Sequence, residues 1–361
     1  MSDLIERWIR PEIRAISAYH VPKAAGLIKL DAMENPYPWP EAARAEWLEV
    51  LRRAEVNLYP DPRGTELQAD LRAAMGIPPE MGLLLGNGSD ELIQMLALAV
   101  AAPGRTILAM EPGFVMYRMI GRLAGMDYVG VPLRAADFSL DLPAVLEAIE
   151  ATAPALVFIA YPNNPTGNLF APEAIERIIA AAPGLVIVDE AYAPFTDASF
   201  MPRLGEWPNL LVMRTVSKMG LAGLRLGYLA GPPALLAEID KVRLPYNVNV
   251  LTQVSAALAM RHRALFDEQC RAIRAERASL MAALTAMEGV QPFASEANFI
   301  LIRLPEGRAA QVFAAIGARG ILVKNLDGAH PQLADCLRVT VGRPEENRAF
   351  LAALAAALAE A

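Results

Sequence analysis

Cysteine is scarce in this chain: Cys270 and Cys336 are the two thiols in 361 residues. Two are too few for a disulfide framework, and they sit in no metal-ligand spacing, so a reducing cytoplasm is the expected compartment. Histidine is nearly as rare. His20, His262 and His330 lie far apart in the sequence, so no histidine-based metal site is expected. A basic surplus is missing as well: 33 Lys and Arg against 40 Asp and Glu give a net charge of -7, with no block of like charge. That balance excludes a nucleic-acid partner, which requires a basic face. Long apolar runs are also lacking. Met95 to Ala102 is representative of the longest, far below the ~20 residues of a membrane span, so no membrane partner is expected. Met1 to Arg14 mixes charged with apolar residues and has no apolar stretch of the kind a secretory signal carries.

What is present is apolar and rich in alanine. Apolar residues make up 54% of the chain, enough for a sizeable core, and the length suits about two domains. From Leu83 to Gly231 short apolar runs alternate with helical periodicity. The runs are Leu83–Leu85, Thr106–Met110, Tyr128–Val131, Ala155–Ala160, Gly184–Val188, Leu210–Met213 and Leu226–Gly231. Consecutive apolar residues, without a polar alternate, predict strands covered on both faces. The class is therefore α/β, a mostly parallel sheet sandwiched by helices. Further on, 249 to 287 reads as one long helix, Ala297–Ile302, Ile321–Lys324 and Cys336–Val341 as strands, and Pro344 onward as a terminal helix. Residues 31-248 are thus expected to form a large domain. Residues 249-361, joined by an N-terminal arm of residues 1-30, would form a smaller α/β domain.

In sheets of this kind ligands sit beyond the carboxyl ends of the strands. Polar residues gather there. Leu83–Leu85 runs into Gly86-Asn87-Gly88-Ser89-Asp90-Glu91 and then a helix, the geometry that aims free backbone N–H groups at an anion. Ser89 or Asp90 would cap that helix. Asn164, Asp189 and Lys218 each lie just past a strand. A lysine held partly out of water loses proton affinity and becomes a nucleophile toward carbonyls. A Schiff-base lysine beside an anion site points to pyridoxal phosphate. Lys218 would bond the cofactor aldehyde, and Asp189 would keep the ring nitrogen protonated. Asn164 and Tyr192 would bond the ring oxygen, and Phe114 would stack on the ring. Gly88, Ser89 and Asp90, with Ser217 and Arg225, would hold the phosphate by charge-assisted hydrogen bonds.

The motifs Asn164-Pro165-Thr166-Gly167, Asp189-Glu190-Ala191-Tyr192 and Ser217-Lys218 with Arg225 resemble fold-type I aminotransferases. More narrowly, Glu34-Asn35-Pro36-Tyr37, Tyr59-Pro60-Asp61, Gly86 to Glu91 and Leu337 to Gly342 resemble the histidinol-phosphate aminotransferase family. The resemblance runs from about residue 15 to the end. It implies amino transfer between histidinol phosphate and 2-oxoglutarate, giving imidazole acetol phosphate and glutamate, in histidine biosynthesis. It also implies a homodimer in which Tyr59 reaches the cofactor phosphate of the other copy, and a substrate site drawn from Tyr19, Asn35, Lys324 and Arg338. Two positions depart from the family pattern. Phe114 stands where tyrosine is common, and Lys324 where arginine is common, which keeps the charge but not the bidentate fork. An aromatic aminotransferase, a threonine-phosphate decarboxylase and a silent cofactor-binding module remain open alternatives.

Overall fold

Seven apolar segments assemble into one sheet in a computed structural model that describes residues 2–18 and 24–360. In spatial order the strands are Gly82–Gly86, Gly227–Gly231, Leu210–Thr215, Leu185–Asp189, Leu156–Ala160, Thr106–Glu111 and Asp127–Pro132. Gly227–Gly231 runs antiparallel to both its neighbours, and the other four pairings, from Leu210–Thr215 across to Asp127–Pro132, are parallel. The strands are apolar without interruption because both faces are covered. Leu156–Ala160 is buried throughout. Phe158, Ile187, Leu211 and Leu229 face one helical layer with Leu92, Leu96 and Ile120. Val157, Ile159, Val188 and Val212 face the other with Ile175 and Ile178. Successive residues thus serve opposite layers, as the pleat requires.

A second sheet of four strands is ordered Lys324–Asn325, Cys336–Thr340, Phe299–Arg303 and Gln291–Pro292, all antiparallel. The arm joins this end of the molecule, since Ile28–Lys29 pairs in parallel with Ile321–Leu322. The run read as one strand, Ile321–Lys324, is therefore two short pieces serving different partners. In the second piece Lys324 stands opposite Arg338.

The helix expected over 249 to 287 is broken. Val250–Arg261 ends at His262, which leaves helical geometry (φ −95°, ψ 24°), and Arg263–Thr285 restarts after it. The first piece packs on Glu41–Arg52 and Thr65–Met75, beside the large sheet, whereas the second reaches the four-stranded sheet. Asn249 caps the first piece, its side chain accepting from the Thr252 N–H at 2.9 Å. A helix absent from the sequence reading, Pro233–Asp240, follows the antiparallel strand.

Beneath the strand ends lies a buried ion pair. Glu190 is 0% exposed, and Arg214 reaches it with Nη2 at 2.7 Å and Nε at 2.8 Å. Ser199 Oγ also donates to Glu190 at 3.0 Å. The pair ties the strand ending in Asp189 to the one leading to Lys218. Arg214→Ala would strand the Glu190 charge, and breaking a buried pair this way costs about 3–5 kcal/mol. Denaturant titration of that variant is expected to show the loss in its midpoint.

Candidate active site

Asp189 closes its strand in register with Ala160 and Met213, so its side chain emerges at the carboxyl edge of the sheet. It is 4% exposed. Tyr117 Oη donates to its Oδ2 at 2.6 Å and the Ala191 N–H to its Oδ1 at 3.1 Å. Burial outweighs both donors and lifts the carboxyl to about 6. Lys218 emerges one strand away, where the chain leaves Leu210–Thr215 in a tight turn over Ser217–Leu221. Gly220 makes that turn at φ +126°, and a Cβ there would lie 3.1 Å from Asn35 Nδ2. Burial, then the Arg338 charge, lowers the Lys218 amine to about 8. Its Nζ donates to the Ala32 carbonyl at 3.2 Å and lies 5.9 Å from the Tyr192 ring centre.

These groups line one cavity with Met33, Ser89, Asp90, Phe114, Tyr117, Asn164, Tyr192, Ser217 and Arg225. One rim is the start of helix Gly88–Val100. Neither Ser89 nor Asp90 caps it. Asn87 occupies the cap position without a capping side-chain bond, and Glu91 reaches back to the Asn87 N–H at 2.6 Å. Asp90 instead pairs with Arg225 at 3.1 Å. The first turn thus keeps N–H groups for an anion, with Ser217 and Arg225 beside it. Close approach is built in: a Cβ on Gly88 would fall 2.7 Å from Arg225 Nη2, and one on Gly227 2.7 Å from the Ser89 nitrogen. Ser217 is buried and held by Thr215 Oγ1, which donates to its hydroxyl at 2.8 Å.

Behind Asn164 the four-stranded sheet brings up a cation that is not itself in the lining. Arg338 is buried, with Nη1 donating to Asn164 Oδ1 at 2.6 Å and Nη2 to the Asp31 carbonyl at 2.9 Å. Its guanidinium lies 5.2 Å from the Phe299 ring centre. Arginine only donates, so Asn164 faces it with its oxygen and keeps its amide hydrogens for another acceptor. A strap over 31–35 closes the site. Met33 stands at φ +55°. It is fastened by its N–H to Thr340 Oγ1 at 2.9 Å and by its carbonyl to Asn298 Nδ2 at 2.9 Å. Tyr192 Oη donates to the Met33 sulfur at 3.1 Å. Asn35 engages the Met219 carbonyl at 2.9 Å and Gln269 at 3.0 Å, and accepts from the Tyr37 N–H at 2.9 Å. It anchors the strap next to Lys218.

Not every expected residue joins this cavity. Tyr59 is 81% exposed and stacks on Tyr246 with ring centres 4.4 Å apart, away from the lining. Lys324 is half-buried beside Arg338, and both stand outside the lining residues, as do Gly88 and Asn35. Tyr19 lies outside the described residues. Conversely, Met33, Thr215 and Tyr117 line the cavity without having been singled out. Tyr117 carried a readable signal, its place three residues after Phe114 on one helix face. Met33 carried none, since its position depends on contacts with residues 298 and 340.

The cavity's chemistry suits a flat, cationic ring with an anionic tail. Asp189 is buried among acidic neighbours, Asp90 and Glu190, with one hydroxyl and one N–H to satisfy it, so a cation against it relieves the cost of its burial. Phe114 supplies an apolar wall, and the Gly88–Val100 terminus an anion cradle.

Residues 25–354 match the family described as aminotransferase class I and II. Histidinol-phosphate aminotransferase 2 of Nitrosococcus oceani is 58% identical over 354 residues, covering 98% of each chain. Histidinol-phosphate aminotransferase 2 of Cupriavidus pinatubonensis is 55% identical over 360 residues, again covering 98% of each. Among solved structures, the histidinol-phosphate aminotransferase of Sinorhizobium meliloti in complex with pyridoxal-5'-phosphate aligns at a TM-score of 0.88 over 98% of each chain, at 22% identity.

Proposed function

The chain belongs to the class I and II aminotransferases and has their fold-type I architecture, and from that premise we propose that it moves an amino group between histidinol phosphate and 2-oxoglutarate with pyridoxal phosphate as cofactor. The observation that carries the reading is the meeting, in one cavity under the Phe114 wall, of a buried acid, Asp189, and an amine of lowered proton affinity, Lys218. The relatives' names supply the substrate.

Pyridoxal phosphate, when bound, supplies an aldehyde that captures amines and a ring that draws electrons from the substrate Cα. Asp189 would hold the proton on the ring nitrogen. Asn164, through its amide hydrogens, would donate to the ring oxygen, as would Tyr192 once its hydroxyl turns from the Met33 sulfur. Gly88, Ser89, Asp90, Ser217 and Arg225 would hold the phosphate. Lys218 Nζ, near 8, takes the proton from Cα and returns it at close to neutral pH. Arg338 and Lys324 meet the phosphate of histidinol phosphate and, in the second half-reaction, a carboxylate of 2-oxoglutarate. Tyr19 and Asn35 complete the substrate end, Asn35 through the strap it anchors.

Residues 31-248 form the cofactor domain in this reading, and 1-30 with 249-361 the smaller one. The working unit is a homodimer in which Tyr59 reaches the partner's cofactor phosphate. Its exposure fits that role, as do the exposed apolar neighbours Val56, Leu58, Leu244 and Leu251. Two free, buried thiols, Cys270 and Cys336, fit a cytoplasmic setting. Among the described residues no helix is long and apolar enough to cross a membrane.

Specificity constants test the substrate. Histidinol phosphate is expected to exceed both phenylalanine and threonine phosphate by at least about tenfold, the effect of one well-made charged contact. Arg338→Ala should lower the constant for histidinol phosphate by about 10²-fold. A preference for phenylalanine, or release of carbon dioxide from threonine phosphate, would replace this reading by one of its alternatives.

A further inference from the structure

Tyr117 holds two parts of the site at once. It sits three residues after Phe114 on the helix Val115–Leu123, fully enclosed. Its ring stacks on Phe158 at 4.5 Å with 9° between planes and meets Phe114 edge-on at 5.4 Å. Those two contacts fix the ring in plane and height. Its hydroxyl then has a single direction, onto Asp189 Oδ2 at 2.6 Å. We propose that Tyr117 is a positioning residue that keeps Asp189 ionised and aimed at the cofactor's ring nitrogen while it sets the tilt of the Phe114 wall. This rests on the reading of the cavity as a pyridoxal phosphate site.

The reasoning is electrostatic. A hydroxyl that can only donate here favours the carboxylate over the carboxylic acid. Asp90 and Glu190 work against ionisation, and the cations Lys218 and Arg225, which line the same cavity, direct their hydrogen bonds to the Ala32 carbonyl and to Asp90. Asp90, on Gly88–Val100, is acidic and paired with Arg225. Glu190, the next residue, is acidic and paired with Arg214. Tyr192 directs its hydroxyl to Met33. Among the described residues, the Ala191 N–H is the one donor to the Asp189 carboxylate besides Tyr117. Burial and the carboxylate beside it push the Tyr117 hydroxyl well above its ordinary range, so it remains a donor at any working pH.

Tyr117→Phe removes the hydroxyl and leaves the stacking intact. The readout is uptake of pyridoxal phosphate by the cofactor-free protein, followed as affinity against pH. Affinity should fall on the acid side as Asp189 takes up a proton, and in Y117F that fall should begin about one pH unit higher, the effect of one lost hydrogen bond to a charged acceptor. Asp189→Asn should flatten the acid fall altogether. Tyr117→Leu, which loses the stacking too, should add a drop in plateau affinity. An unmoved profile in Y117F, with the parent's acid fall intact, overturns the inference and leaves the cofactor reading standing. A parent protein that takes up no pyridoxal phosphate overturns both.

Discussion

Replacing Lys218 by alanine is expected to lower turnover by at least about 10³-fold, the scale of losing a nucleophile and a proton carrier together. The size of the effect follows from where the amine sits. Burial and the Arg338 charge bring it to about 8, so at pH 7 about one amine in ten is uncharged, against fewer than one in a thousand for an ordinary lysine. Lys218→Arg separates the two things a lysine brings. It restores a positive charge that cannot be shed, so it should be as inactive as the alanine variant. Glutamate formation from histidinol phosphate and 2-oxoglutarate measures both, with circular dichroism to check folding. Turnover above about a tenth of the parent's in the arginine variant would remove Lys218 from the proton-carrying role.

Asp189→Asn should move activity and stability in opposite directions. Turnover is expected to fall by about 10²–10³-fold, the range for removing one preorganised charge from an active site. The cofactor-free protein should nevertheless become more stable at neutral pH. Asp189 titrates at 3.8 as a free side chain and at about 6 when buried. The folded state therefore binds the proton more tightly than the unfolded one. Stability falls as pH rises from about 4 to 6 and stays lower above that. Asparagine carries no charge and escapes the penalty, which a shift of about two pH units sets at up to about 3 kcal/mol. Thermal unfolding of parent and D189N should diverge above pH 6 and converge near pH 4. A variant no more stable than the parent at pH 7.5 would mean that Asp189 is not the strained group its burial makes it.

The large sheet was legible because its strands carry no polar alternate: Leu156–Ala160 is buried from end to end, and Leu185–Asp189 from its second residue on. The site was legible for a related reason. Such strands end abruptly in polar residues, so Asn164, Asp189 and Lys218 stand out against the apolar runs before them. What stayed hidden depends on distant partners. The break at His262 has no proline or glycine to mark it, and the ring bonds Glu46 at 2.7 Å, far back in the chain. Asp90 looked like a helix cap, yet Arg225 takes its carboxylate. The strap over 31–35 leads into Pro36, Pro38 and Pro40, which impose an extended course without saying what the chain covers. Its role over Lys218 comes from carbonyls of Ala32 and Asp31, and every residue has a carbonyl.

Arg338 also sets an order of assembly. It bonds Asn164 from one body of the protein and the Asp31 carbonyl from the strap, and it lies on Cys336–Thr340, well over a hundred residues after Lys218. During synthesis the groups around Asp189 and Lys218 leave the ribosome long before it does. A nascent chain can therefore shape the cofactor half of the cavity while the half that grips the substrate's anionic end has yet to be made.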